Sequence, residues 1–120
     1  MTPPTREQLL ERLAEYRLPI EPTLAALREY PWDCESPLFT LTREHIFAML
    51  RRYRAGEISA DQLTDWADLI ECRDDLDYEA TLEKTLRRTV FELANPNLNT
   101  TISHELAHKI EQRFIDAPTI

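Results

Sequence analysis

The feature that most restricts the fold of this chain is its scarcity of glycine beside an abundance of proline. Glycine occurs once and proline eight times in 120 residues. Most of the prolines separate segments whose apolar residues recur with helical period, and proline breaks a helix because it lacks the backbone N–H. No segment alternates polar and apolar residues for more than a few positions. The pattern therefore predicts helices joined by short turns, and no sheet.

Local signals place several helix ends. Thr5 stands three residues before Gln8, and Ser59 stands three residues before Gln62, which is the spacing of a capping box at a helix start. Gly56 follows a run of arginines that suits the negative end of a helix dipole, and glycine is the preferred residue just after a helix. These signals predict two helices that begin after Thr5 and Ser59, and one that ends near Gly56.

The apolar stripes predict six helices, and the fifth helix in chain order spans about 79–94. Residues 30–41 are interpreted as an irregular loop. The core is expected to be led by residues of these stripes: Leu50, Tyr53, Leu63, Trp66, Ile70, Leu86, Val90, Leu106 and Ile110. The predicted fold class is all-α, a single domain over 1–120 that forms an antiparallel bundle of five to six helices. Residues 1–4 and 117–120 are expected to be flexible.

Composition excludes several classes of protein. With 42% hydrophobic residues the chain is too apolar to be disordered, and it contains no run of 18 apolar residues that could cross a membrane. The first residues do not resemble an export signal, so we expect a cytoplasmic protein. Cys34 and Cys72 lack CxxC spacing and are expected to be reduced, buried and apolar in character. No cofactor is predicted.

The charge is unevenly distributed. The net charge is −8, and residues 57–83 alone hold ten acidic and one basic side chain, a net of −9. Nucleic acid and anionic lipid both require Lys and Arg to neutralise phosphate, so neither is expected as a partner. A basic protein is the partner that this charge favours.

The acidic residues of this segment follow helical spacing. On the fourth helix they recur at steps of four, three and three, and they continue into the following loop. An ordinary solvated helix face would show part of this pattern. The stripe of four carboxylates together with the acidic loop after it favours an interaction surface. The predicted partner-binding residues are Asp61, Asp65, Asp68, Glu71, Asp74, Asp75 and Asp77.

An enzyme-like motif also occurs. His104-Glu105-Leu106-Ala107-His108 matches H-E-x-x-H, which sets two zinc ligands one helical turn apart with a glutamate as general base. Both histidines fall opposite the apolar stripe of their helix and are expected to face solvent. Glu111 is too close along the same helix to be the usual third ligand, and His45 lies on another helix. We interpret the match as fortuitous.

Two further functions are compatible with the sequence. The carboxylates of 61–79 could hold a divalent metal in an all-α hydrolase, although such enzymes need a second acidic helix. The second is a self-associating structural domain. Of the two tryptophans, Trp66 is expected in the core, whereas Trp32, in the loop, could either cover the core or contact a partner.

One stretch resembles a known family. Residues 47–63, FAMLRRYRAGEISADQL, followed by Trp66, are similar to the opening helix pair of bacterial colicin-D-like immunity proteins, in which an Ile-Ser or Ile-Thr step leads into the second helix. The resemblance covers about residues 43–77. It implies a small acidic helical bundle that inhibits a toxin, often a nuclease acting on tRNA, by covering its basic catalytic cleft.

Overall fold

A computed structural model describes residues 3–30, 36–96 and 101–116 of the chain. This part is mostly helical, as predicted, with a 3₁₀ turn at Ala80–Leu82 before the fifth helix. The helices are α1 Arg6–Ala14, α2 Glu21–Leu27, α3 Arg43–Arg54, α4 Ala60–Glu71, α5 Glu83–Ala94 and α6 His104–Asp116. Within these ranges no helix is long and apolar enough to span a membrane. Residues 1–2 and 117–120, part of the segments expected to be flexible, lie outside the described residues.

The predicted helix-start signals are confirmed. The backbone N–H of Gln8 donates to the Thr5 hydroxyl (3.1 Å), and the Thr5 N–H donates to the Gln8 side chain (2.9 Å). Ser59 and Gln62 exchange the same two bonds, at 3.1 and 2.8 Å. Gly56 follows α3 with φ of +81°, a left-handed conformation that favours glycine. Local chemistry therefore fixes the start of α1 and α4 and the turn after α3.

The core is built around α4, which packs most extensively against α5. Trp66 is completely buried in the middle of α4, and its Nε1 donates to the carbonyls of Leu13 (3.1 Å) and Ala14 (3.2 Å) at the end of α1. All the predicted core residues are buried apart from Tyr53, which is half-buried. The indole thus joins α4 to α1 through both packing and hydrogen bonds.

The prediction that the chain contains no sheet is wrong, because the mostly helical fold also contains a short two-stranded parallel sheet. Strand β1, Phe39–Leu41, pairs in parallel with β2, Leu76–Tyr78, and Leu41 lies opposite Tyr78. Flanking backbone bonds extend the pairing, from the Leu38 N–H to the Asp75 carbonyl and from the Glu79 N–H to the Leu41 carbonyl, both 2.9 Å. Three-residue strands are too short to show an alternating pattern, and their partners are far apart in the sequence.

Contacts with α3 stabilise the backbone at the end of α1. The helix ends at Ala14, and Tyr16 has φ of +48°, which costs a non-glycine residue about 1 kcal/mol. Arg52 of α3 donates through Nη1 to the carbonyls of Glu15 and Tyr16, each at 3.0 Å, and its guanidinium lies 5.7 Å from the Tyr16 ring centroid. These contacts stabilise the left-handed residue.

Candidate functional site

The acidic residues of α4 lie on its outer surface. The buried side of the helix carries Leu63, Trp66, Ala67 and Ile70. Six of the predicted carboxylates are exposed, four on the opposite side of α4 and two after its end. We call them the acidic face: Asp61, Asp65, Asp68, Glu71, Asp74 and Asp77. One side of this amphipathic helix therefore packs in the core, and the other side presents negative charge to solvent.

The charge of the acidic face is not neutralised by neighbours. In the part of the chain that the structure describes, no Lys, Arg or His forms an ion pair with any of its six carboxylates. On α5, by contrast, Glu83 pairs with Arg87 and Glu92 with Arg88, each at 3.0 Å. The negative field of the acidic face is consequently directed into solvent, where it can act on a partner.

Negative charges of the acidic face contribute, after burial, to two raised pKa values. Partial burial raises the pKa of Glu71, and neighbouring Asp68 raises it further, against a hydrogen bond from Asn95. Burial likewise raises the pKa of Tyr16, and Asp65 and Glu21 add to this, while Arg52 opposes it. Glu21 belongs to α2, so the negative field continues from α4 towards that helix.

Asp75 was expected on the same surface, and this expectation is wrong. Its side chain is 2% exposed, and its carboxylate accepts from Arg73 Nε and Nη2 (2.8 and 2.9 Å) and from Arg6 Nε (3.0 Å). Burial alone would raise the pKa of Asp75, but the two guanidinium groups outweigh it and the pKa is lowered. The residue joins α1 to the start of β2, and it is not available to a partner.

A cleft of about 470 Å³ lies beside the acidic face, between α2 and the second half of α4. We call it the α2–α4 cleft, and its lining residues are Leu24, Leu27, Arg28, Tyr30, Asp68, Leu69, Cys72, Arg73, Asp74 and Asp75. Sequence patterns do not reveal this cleft, because its two walls come from segments about 40 residues apart whose leucines individually resemble core positions. Asp68 and Asp74 belong to both the acidic face and the cleft.

The expectation that His104 and His108 face solvent is confirmed, since both are exposed on α6. The His104 ring stacks edge-on against Tyr53 at 5.3 Å, and Glu105 forms an ion pair with Lys109 (3.5 Å). Glu111, considered as a further ligand, is paired with Arg54 (2.6 Å). Over residues 3–30, 36–96 and 101–116, no three His, Cys, Asp or Glu side chains are grouped as metal ligands, the carboxylates of 61–79 included.

His45 has a structural role at the start of α3. The backbone N–H of Thr42 donates to its Nδ1 at 2.9 Å, so this nitrogen is unprotonated, and the ring packs edge-on against Phe39 at 5.4 Å. Burial lowers the pKa of His45 and outweighs the opposing effects of Glu15, Glu11 and Glu44. Protonation would remove the acceptor that caps the first turn of α3.

We expect the stability of the domain to fall as the pH falls from about 6.5, the ordinary histidine pKa, towards 5. The unfolded chain binds a proton at His45 first, because the pKa is lower in the folded state, so acid favours unfolding. Urea unfolding at pH 7.5 and pH 5 measures the effect. A His45→Gln variant keeps a side-chain acceptor and should show a smaller loss than the native chain; an equal loss would contradict the assignment to His45.

Cys72 differs from the expectation made for the two cysteines. Cys72 was expected to be buried, but it is a free and exposed thiol in the α2–α4 cleft. Partial burial of its sulfur raises the pKa of Cys72, as do Asp68 and Glu71, so the reactive thiolate is disfavoured. Cys34 and Trp32, and with them the two predicted roles of the Trp32 loop, lie outside the described residues.

No protein-family model matches this chain, and neither a curated protein nor a solved structure matches it. Function must therefore be inferred from the arrangement of the acidic face and the α2–α4 cleft. The resemblance of residues 43–77 to immunity proteins stays a prediction.

Proposed function

We propose that the chain is a small acidic protein-binding domain that uses the exposed carboxylates of α4 to hold a basic surface of a partner protein. The observation that carries the proposal is that Asp61, Asp65, Asp68 and Glu71 are exposed together on one side of α4, with no basic side chain paired to them among the described residues. Like charges at helical spacing repel one another by a few tenths of a kcal/mol per pair. A basic partner removes that repulsion when it binds.

The physical consequence of such a face is selectivity for positive charge. Its field accelerates encounters with a basic surface and repels nucleic acid and anionic lipid. Because the carboxylates are exposed, their attraction is screened within about 8 Å at physiological salt, so binding should weaken as salt is added. We accordingly infer a basic protein as the partner and assign no cofactor to the acidic face.

Within this class, we propose an immunity-type inhibitor that covers the basic catalytic surface of a toxin or nuclease in the bacterial cytoplasm. Two points support it: the resemblance of residues 43–77 to colicin-D-like immunity proteins, and the charge of the acidic face. A nuclease cleft must be basic to hold phosphates, so an acidic protein surface can occupy the same cleft. The antiparallel arrangement of the helices, expected for such a bundle, stays a prediction.

Charge reversal on α4 tests the proposal. The native chain and a triple variant, Asp65→Lys, Asp68→Lys, Glu71→Lys, are each used to capture proteins from a lysate of the source organism. A basic protein should be captured by the native chain, and its affinity for the triple variant, measured with purified partner, should be about 100-fold weaker. This assumes a loss of about 1 kcal/mol at each of three exposed sites.

A second triple variant serves as the matched control. Glu7→Lys, Glu44→Lys, Glu105→Lys changes the net charge equally, but at exposed positions on α1, α3 and α6. It should retain most of the affinity, and urea unfolding should show both variants folded. Equal binding by the native chain and the α4 variant would exclude the acidic face, and capture of no basic protein would count against the whole class.

A further inference from the structure

We infer that the α2–α4 cleft is the anchoring pocket for an apolar side chain that the basic partner presents between lysine or arginine residues. This rests on the proposed function, because it names the part of the basic partner that the site beside the acidic face accepts. The partner chemistry is thus an apolar anchor in a basic segment, rather than positive charge alone.

The walls of the cleft suit an apolar occupant. Leu24 and Leu27 come from α2, Leu69 comes from α4, and Tyr30 comes from the residues that follow α2. Leu24 and Leu69 are only half-buried, so apolar surface remains for an incoming group to cover. The volume of about 470 Å³ lies within the range of pockets that bind compact ligands.

The charges around the cleft select the flanking residues of the occupant. Asp68 and Asp74 line it as exposed carboxylates, and Asp65 and Glu71 lie on the same helix face. Two further lining residues, Asp75 and Arg73, form an ion pair with each other (2.8 Å). Arg28, directly after α2, adds one positive charge to the lining. Lysine or arginine beside the anchor would meet Asp68 and Asp74, whereas an acidic segment would be repelled.

The cleft and the acidic face would then contribute to binding in different ways. Exposed carboxylates act at a distance, so they should set the association rate and its dependence on salt. An apolar group in a concave pocket excludes water and acts only on contact, so it should set the dissociation rate. Substitutions in the cleft should therefore shorten the lifetime of the complex at any salt concentration.

Three short peptides test the inference on the ¹⁵N-labelled full chain by NMR. The probes are the acetylated and amidated tripeptides Arg-Trp-Arg, Arg-Ser-Arg and Glu-Trp-Glu. We expect Arg-Trp-Arg to shift the amide signals of the cleft walls on α2 and α4, with an affinity at least tenfold higher than either of the others. Equal binding of Arg-Ser-Arg would show that charge alone acts, and equal binding of Glu-Trp-Glu would show that the cleft does not select a basic segment; either overturns the inference.

Two kinds of variant locate the binding. Leu24→Ser, Leu69→Ser should weaken Arg-Trp-Arg at least fivefold, while Phe91→Ser, Ile115→Ser, which removes exposed apolar side chains elsewhere, should not. A Cys34→Ser chain alkylated at Cys72 with N-ethylmaleimide blocks the cleft without altering a leucine, so it keeps the test decisive if the double serine variant unfolds. Unchanged peptide binding after alkylation would overturn the inference.

Experiments with the captured partner distinguish failure of the anchoring pocket from failure of the proposed function. A captured basic partner that binds the native and alkylated chains equally, yet is lost on charge reversal of α4, would overturn the anchor and leave the proposed function standing. A partner insensitive to charge reversal would overturn both. Faster dissociation of the partner from the alkylated chain, with an unchanged association rate, would support the anchor.

Discussion

Replacing Asp75 with alanine should lower the free energy of unfolding by about 3 kcal/mol, since removal of one member of a buried ion pair leaves uncompensated charge behind. Here the Arg73 guanidinium, 20% exposed, would lose the carboxylate that it pairs with, and the Arg6 guanidinium, 12% exposed, would lose one of its partners. Their partial access to water places the expected loss at the lower end of the range for buried pairs. Urea unfolding followed by circular dichroism measures it.

The neighbouring residue supplies a matched control. Asp74 is exposed and has no ion pair in the described part of the chain, so Asp74→Ala should change stability by no more than about 0.5 kcal/mol. Equal effects of the two substitutions would contradict the contrast between a buried structural carboxylate and an exposed one. Confirmation would show that adjacent aspartates of one acidic segment have different roles.

The structural role of the Asp75 carboxylate can also be tested through the pH dependence of stability. The pKa of Asp75 is lower in the folded state than in the unfolded chain, so the unfolded chain takes up the proton first as the solution becomes acidic. Its contribution is fully present above the ordinary carboxyl pKa of 3.8 and is lost as the pH falls through the folded-state pKa. The stability difference between native chain and Asp75→Ala should therefore shrink below pH 3.8; a constant difference would assign the loss to packing alone.

Features that depend on neighbours in sequence were predictable. The capping boxes of Thr5 and Ser59, the left-handed Gly56 and the buried stripe around Trp66 all follow from residues within one or two turns of each other. The exposed direction of Asp61, Asp65, Asp68 and Glu71 follows from the same helical period. These features account for most of the helical structure and for the acidic face.

Features that depend on distant segments were not predictable. Asp75 resembles Asp74 in the sequence, and the approach of Arg6, 69 residues away, adds a second guanidinium to the buried pair that Asp75 forms with Arg73. The parallel pairing of β1 with β2 likewise joins segments without a periodic signal of their own. The α2–α4 cleft is missed for the same reason, because a concave surface exists only once two helices have packed beside each other.

The acidic face and the core share one helix, and this makes stability and binding experimentally separable. Substitutions on the outer side of α4 should alter partner binding with little effect on folding, because exposed residues contribute little to stability. Substitutions on the inner side should do the reverse. Trp66 offers the strongest test of that division, because it is completely buried behind the acidic face.

Replacing Trp66 with alanine should destabilise the domain by about 4 kcal/mol, the cost of a large cavity left by a buried aromatic side chain. The indole also donates to the Leu13 and Ala14 carbonyls at the end of α1, so its loss leaves two buried acceptors without this donor. Trp66→Phe keeps most of the ring volume and should cost about 2 kcal/mol, of which about 1 reflects the lost hydrogen bonds. Urea unfolding monitored by circular dichroism gives both values, with Phe91→Ala, at an exposed position, expected to cost less than about 1 kcal/mol.

Trp66→Phe also tests the division between the two sides of α4. If the variant is folded at low temperature, it should bind the captured basic partner with native affinity, because the indole contacts α1 and does not reach the acidic face. Saturating partner should then raise the unfolding midpoints of the native chain and of the variant together, since a ligand of the folded state stabilises both by mass action. A folded Trp66→Phe domain with weakened binding would mean that the position of α4, and not only its charge, determines recognition.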